Sequence, residues 1–299
     1  MRAERREQLF RLLGDLPDRG PISVETLRIE ERRENIVETL LLDLNGLEKV
    51  PAYFVKPRIT EGACPAVLFQ HSHGGRYDRG KSELIEGADY LKTPSFSDEL
   101  TSLGYGVLAI DHWGFGDRQG KAESEIFKEM LLTGKVMWGM MIYDSLRALD
   151  YMQSRFDIQS DRIGTIGMSM GGLMAWWTAA LDDRIKVCVD LCSQVDHHVL
   201  IKTQNLDRHG FYYYVPSLAK HFSASEIQSL IAPRPHLSLV GVHDRLTPAE
   251  GVDKIEKELA DVYARQGASD CYRVVRSASG HFETAVMRHK AVRFLQTWL

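Results

Sequence analysis

Cysteine is scarce in this 299-residue chain, limited to Cys64, Cys188, Cys192 and Cys271. No two form a C-x-x-C pair, which argues against a zinc-thiolate site. Cys188 and Cys192 fall on one predicted strand, about 13 Å apart by strand rise and too far to bridge. The four thiols are expected to be free and mostly buried, in a reducing compartment. Long apolar runs are also missing. No stretch approaches the ~20 residues that span a bilayer. The N-terminus, Met1-Arg-Ala-Glu-Arg-Arg-Glu-Gln, has no apolar core of a secretory signal. The expectation is a cytoplasmic protein with no membrane partner. Charge of one sign is absent as well: 37 Lys and Arg stand against 41 Asp and Glu, for a net charge of −4. That balance leaves no footprint for nucleic acid. Internal repeats and low-complexity segments are not visible. Gly114-Phe-Gly116-Asp-Arg-Gln-Gly120 matches a nucleotide loop only loosely and lacks the G-x-G-x-x-G spacing.

What is present is an ordinary globular composition, 44% hydrophobic and 26% charged, in a length that suits one large α/β domain. Residues 2–16 carry an apolar stripe of Leu9, Phe10, Leu12, Leu13 and Leu16, closed by Pro17, and predict an amphipathic helix. It is expected to pack on the main domain or on a partner chain, which leaves a homo-oligomer open. Residues 36–44 and 48–56 flank Asn45-Gly46, a strong hairpin signal. The organisation read from this is an N-terminal helical extension over 1–35 and an α/β domain over 36–299. Within the domain, strands at 66–69, 107–110, 163–166, 186–192, 237–242 and 272–275 alternate with helices. The stretch 124–155 carries Met130, Met137, Met140 and Met152 at helical spacing, read as core filler, with Gly134 and Gly139 as candidate kinks. Residues 193–233 break the alternation and read as a cap-like insertion. Alternating strands and helices predict a mostly parallel sheet covered on both faces. Right-handed crossovers then bring the C-terminal ends of the strands to one edge, where such sheets place their sites.

The chemistry concentrates there. Gly167-Met168-Ser169-Met170-Gly171 fits G-x-S-x-G between a strand and a helix, the setting of a nucleophile on a strained turn. The plain alternative is a strand-to-helix turn with Ser169 as N-cap. A serine needs a base, and the base a carboxylate to orient it. In this chain order the acid precedes the histidine. Asp244 follows the strand 236–242, with Asp190 and Asp196 as fallback acids. After Asp244 only His281 and His289 remain. His281 sits in a Gly-flanked loop and His289 inside the last helix, so His281 is the expected base. The oxyanion needs two N–H donors, expected from Met170 and from His73 in the turn 71–75. His71-x-His73 has Asp78 nearby but no further histidine, so no metal is expected. In the insertion, His198, Phe211, Tyr212 and Tyr214 are expected to shape the substrate pocket.

Five segments, Gln70-His-Ser-His-Gly-Gly75, Asp111-His-Trp-Gly-Phe-Gly116, Gly167-Met-Ser-Met-Gly-Gly172, Gly241-Val-His-Asp244 and Ser279-Gly-His281, together resemble the α/β-hydrolase superfamily. The closest likeness is to its dienelactone-hydrolase-like and acetyl-xylan-esterase-like carboxylesterases, over roughly residues 36–299. The resemblance implies Ser169, Asp244 and His281 as triad, His73 and Met170 at the oxyanion hole, a small-molecule ester as substrate, and no cofactor. Two departures stand out. Ser72 follows His71 where many relatives carry His-Gly, and the nucleophile is Ser where true dienelactone hydrolases carry Cys. A peptidase or amidase with the same triad is the second reading, less favoured because no propeller-sized extra domain is visible. A catalytically silent binding protein on this fold is the third.

Overall fold

The computed structural model describes residues 2–59 and 62–299. Among these residues nine strands run in chain order: β1 (Ser23–Glu31), β2 (Asn35–Asp43), β3 (Val50–Pro57), β4 (Cys64–Gln70), β5 (Gly106–Ile110), β6 (Ile158–Met168), β7 (Ile185–Leu191), β8 (His236–Gly241) and β9 (Tyr272–Ser277). They form one sheet in the order β1-β2-β3-β5-β4-β6-β7-β8-β9. The first three strands pair antiparallel, β3 also pairs antiparallel with β5, and the rest are parallel. The α/β-hydrolase arrangement expected from the sequence is therefore present, with its antiparallel N-terminal strands. The alternating side chains of a strand point to opposite faces. On β4, Ala66 and Leu68 enter the core under the helices Met137–Ser154 and Met170–Leu181, whereas Val67 and Phe69 enter the core under Phe96–Ser102 and Ala285–Trp298.

Three local readings are corrected. The segment assigned to a helical extension contains β1, which pairs with β2. Its signal was hidden because nearly every residue is exposed, charges stand among Val24, Leu27 and Ile29, and a register shift between Thr26 and Arg28 breaks the alternation. The first helix spans Arg2–Leu12 and not 2–16. It stops at Gly14, whose φ of +78° suits glycine, and Asp15 N–H donates to the Gly134 carbonyl at 2.9 Å. Leu9 and Leu13 are fully buried, so this helix packs on the main domain. The methionine-rich stretch is two helices, Glu123–Leu132 and Met137–Ser154, broken at Gly134 with φ +78°. Gly139 lies inside the unbroken helix Met137–Ser154. A Cβ there would lie 2.0 Å from the Leu13 carbonyl oxygen, so its role is to admit the end of the first helix. The methionines themselves are buried as expected.

Candidate active site

The parallel strands end on a common edge, and the elbow after β6 is its centre. Ser169 has φ 56° and ψ −119°, a region costly for a side-chain-bearing residue, and it opens the helix Met170–Leu181. The surroundings hold it there. Ser169 N–H donates to the Leu191 carbonyl at 2.8 Å, and Leu173 N–H returns to the Ser169 carbonyl at 2.9 Å. The flanking glycines are required by backbone contact. A Cβ at Gly171 would lie 1.9 Å from the Gln70 oxygen, and one at Gly167 would lie 2.4 Å from the Gly171 carbonyl. At Gly172 it would meet Ser193 Oγ at 2.6 Å.

The candidate acid and base arrive on two adjoining loops. Gly241 ends β8 where a Cβ would lie 2.2 Å from the Gly280 oxygen, so only glycine lets the histidine loop pass so close. Val242 N–H bonds Ser277 O and His243 N–H bonds Ser279 O, both at 2.9 Å, lacing the loops together. Asp244 follows, its side chain fully buried, with Oδ1 accepting from Leu246 N–H at 2.8 Å. Its Oδ2 lies 2.7 Å from His281 Nδ1, and His281 Nε2 lies 2.8 Å from Ser169 Oγ. With Nδ1–H donating to the carboxylate, Nε2 is left to accept the serine proton. The fallback acids are engaged elsewhere. Asp190 takes hydrogen bonds from Ser193, Gln194, Ser238 and His236 in a buried cluster. Asp196 caps the helix His197–Lys202 and pairs with Lys254 at 2.8 Å.

The turn after β4 faces this pair. His71 is fully buried, with Nδ1 at 2.8 Å from its neighbour's carbonyl on Ser72 and Nε2 accepting from His112 N–H at 3.1 Å. Both ring nitrogens of His71 are thereby used in structure. His73 Nδ1 accepts from Gly75 N–H at 3.0 Å, and Nε2 lies 3.1 Å from Tyr212 Oη. Burial, with His71 and His281 adding repulsion, lowers His73 to about 4. Asp111 ties the loop behind it, accepting from Lys81 N–H, Lys81 Nζ and Asp117 N–H at 2.6, 2.8 and 3.0 Å. The N–H groups of His73 and Met170 donate to no acceptor among the described residues.

The insertion 193–233 divides its aromatic run. Tyr212 is buried between His73, Phe115 and Trp138, with its N–H on Glu123 Oε1 at 2.9 Å. Tyr213 is fully buried against Trp138 and His197. Tyr214 braces the insertion itself, its hydroxyl donating to Leu206 O at 2.5 Å. Phe211 is half exposed beside Phe127. With Tyr77 and Glu123 it lines an open cleft of about 570 Å³. His198 is a correction: it faces solvent, and its neighbour His197 holds the inward place. His197, Val199 and Leu200 form the buried side of this short helix, and the sequence could not say which histidine of the pair would share it. Two residues were missed. His209 is lowered to about 4 by burial, with the Leu246 backbone, His281 and Asp244 all acting on it. Cys192, with φ 52°, lies under the acid, and burial followed by Asp244 pushes its thiol up to about 12. Neither stands in a motif, so only the fold could bring them in.

Among the described residues, Cys192, Asp244 and His281 bring ligand-type atoms within 4.8 Å of one another. The carboxylate and Nδ1 already bond each other, and the thiol is held neutral, so this trio suits a triad better than a cation. No helix of the described residues is long and apolar enough to cross a membrane.

A serine on a strained strand-to-helix elbow, with its histidine and acid on later loops of the same sheet edge, defines an α/β-hydrolase of the serine class. The chain belongs to the prolyl oligopeptidase family, whose pattern matches residues 94–299. It is 93% identical over 299 residues, all of both chains, to a Bacillus subtilis (strain 168) protein named "Putative hydrolase YtaP". Among solved structures it is similar to a glucuronoyl esterase from Solibacter usitatus, with TM-score 0.70, 16% identity, and 98% and 91% of the two chains covered. It is also similar to an acetyl xylan esterase from Paenibacillus sp. R4, with TM-score 0.64, 18% identity and coverage of 100% and 92%. At such identities the likeness establishes the fold.

Proposed function

We propose that this protein hydrolyses small carboxylic esters through an acyl-enzyme intermediate. The observation that carries the reading is the continuous relay from Asp244 Oδ2 to His281 at 2.7 Å and from His281 to Ser169 Oγ at 2.8 Å. Ser169 Oγ attacks the ester carbonyl while His281 Nε2 takes its proton. Asp244 stabilises the imidazolium that forms. The N–H groups of Met170 and His73 receive the oxyanion, aided by the helix N-terminus behind Ser169. His281 then protonates the leaving alcohol, and a water activated by the same nitrogen releases the acid. None of these steps calls for a metal or cofactor. The rings of Tyr212, packed on His73, and of Phe211 and Tyr77 at the neighbouring cleft offer aromatic surface for the acyl or alcohol group. The free, largely buried thiols suit a reducing compartment such as the cytoplasm.

Esters are preferred to amides because glucuronoyl and acetyl xylan esterases share the fold. The family description favours a second reading, a peptidase with the same triad. Three measurements separate the readings. A fluorophosphonate probe labels Ser169 in any active serine hydrolase, and its failure points to a silent binding protein. Turnover of p-nitrophenyl esters graded by chain length, beside acetylated sugars, maps the acyl and alcohol preference. Faster cleavage of peptide p-nitroanilides than of any ester would overturn the esterase reading.

A further inference from the structure

Tyr90 lies outside every motif, in the segment between the short helix Glu83–Glu86 and the helix Phe96–Ser102. It touches both loops that carry the reaction. On one side its ring lies against the oxyanion turn. A Cβ at Gly74 would come within 2.5 Å of Tyr90 Cε1, and Gly74 has φ +56°, so glycine is required there by space and by backbone. Its hydroxyl donates to Glu83, a fully buried carboxylate. The other oxygen of Glu83 accepts from Ser72 N–H at 3.1 Å, the residue just before His73. On the other side the Tyr90 carbonyl accepts from Glu283 N–H at 2.8 Å, two residues beyond His281. Glu283 in turn accepts from Lys92 N–H at 2.7 Å and holds Arg288 through contacts of 2.7 and 2.8 Å. Arg288 donates to the carbonyls of Pro94 and Lys92 at 2.7 and 3.0 Å.

We propose that Tyr90 is a positioning residue that fixes the oxyanion turn and the histidine loop relative to each other. The inference rests on the triad reading above. Its physical basis is that two loops from opposite ends of the chain must agree to a fraction of an ångström for attack, proton transfer and oxyanion binding to coincide. Backbone contacts on the histidine side and a side-chain relay on the oxyanion side make the segment 83–94 a strap across the site. Tyr90 touches no reacting atom.

Glu83 makes the strap sensitive to pH. Burial raises its carboxyl to about 7, with Glu283 adding to the rise, while Tyr90, Ser72 N–H and Arg79 favour the ionised form. An ionised carboxylate accepts from both Tyr90 and Ser72. A protonated one carries a donor of its own and gives up one of those bonds. The strap is therefore fully made above about pH 7.

The test uses the full chain with a p-nitrophenyl ester. Tyr90→Phe keeps the ring against Gly74 and removes the link to Glu83. It is expected to lower kcat by up to about 10²-fold with KM changed by less than about threefold. Glu83→Gln keeps an acceptor for Ser72 N–H and removes the proton. It is expected to make the acid limb of kcat/KM less steep by one proton. If wild-type protein fails to react with the fluorophosphonate, the triad reading falls, and this inference with it. If wild type reacts and Tyr90→Phe, folded with a wild-type melting curve, keeps wild-type kcat, the positioning role alone is overturned. Should Tyr90→Phe fail to fold, Glu83→Gln decides: an acid limb identical to wild type overturns the proposal, and a shallower limb supports it.

Discussion

At the elbow, backbone meets backbone: a methyl group on Gly171 would lie 1.9 Å from the Gln70 oxygen, and Ser169 N–H is fixed on Leu191. In the insertion 193–233, side chains do the holding. Glu123 takes Tyr212 N–H, Trp138 and His197 enclose Tyr213, and Tyr214 reaches back to Leu206. Both regions stand at the same edge of the sheet. The difference teaches that the geometry of the Ser169 elbow leaves no room for substitution, whereas the insertion is set by replaceable contacts. Chemistry and specificity are therefore expected to separate by region on mutation.

The largest effect sharpens that contrast. Ser169→Ala and His281→Ala are each expected to lower kcat by about 10⁵- to 10⁶-fold, since triad members act as a unit. His289→Ala, on the exposed side of the last helix, leaves it near wild type. Ester turnover in the three variants checks this, and a working His281→Ala would remove the assignment. Next comes the acid. Asp244→Asn is expected to cost about 10⁴-fold in kcat by presenting the wrong imidazole tautomer. Asp190→Asn disturbs the cluster with His236, Ser193 and Ser238, so it lowers Tm far more than kcat. The opposite pattern would place the acid one strand earlier.

The third prediction sets the two regions against each other directly. Gly171→Ala is expected to destabilise by at least about 3 kcal/mol, because its Cβ meets a fixed carbonyl. Phe211→Ala, at a half-exposed site, costs little stability and shifts kcat/KM unequally, by up to about tenfold, across esters of different size. A common fall for all esters, tracking Tm, would make the insertion purely structural. The last effect lies behind the turn 71–75 and is read in stability against pH. Because the Glu83 carboxyl rises from 4.5 to about 7 on folding, its contribution is fully present below pH 4.5 and is lost as pH rises through 7. Glu83→Gln should remove a decline on the order of 3 kcal/mol between pH 4.5 and 8. Urea melts of both proteins across that range measure it.

Much of this molecule was legible in the chain. The elbow and the approach of Asp244 and His281 to Ser169 could be expected because glycine spacing and strand ends leave local traces, and chain order set His289 aside. His198 was misplaced because exposure on a short helix depends on what that helix packs against. β1 was overlooked because an exposed edge strand carries no apolar alternation. Gly139 looked like a kink because its real constraint, the Leu13 carbonyl, lies far away in sequence.

The sequence by itself determined the alternation of strands and helices, the strained turn at Ser169, and the residues able to act as acid and base, because each depends on neighbours within a few positions. Only the tertiary structure decided that Asp190 belongs to a buried cluster, that His209 and Cys192 lie beside Asp244 and His281, and that Tyr90 links the turn 71–75 to the loop carrying His281. Those facts depend on contacts between segments distant in sequence, from Asp190 with His236 to Tyr90 with Glu283, and on which groups burial strips of water.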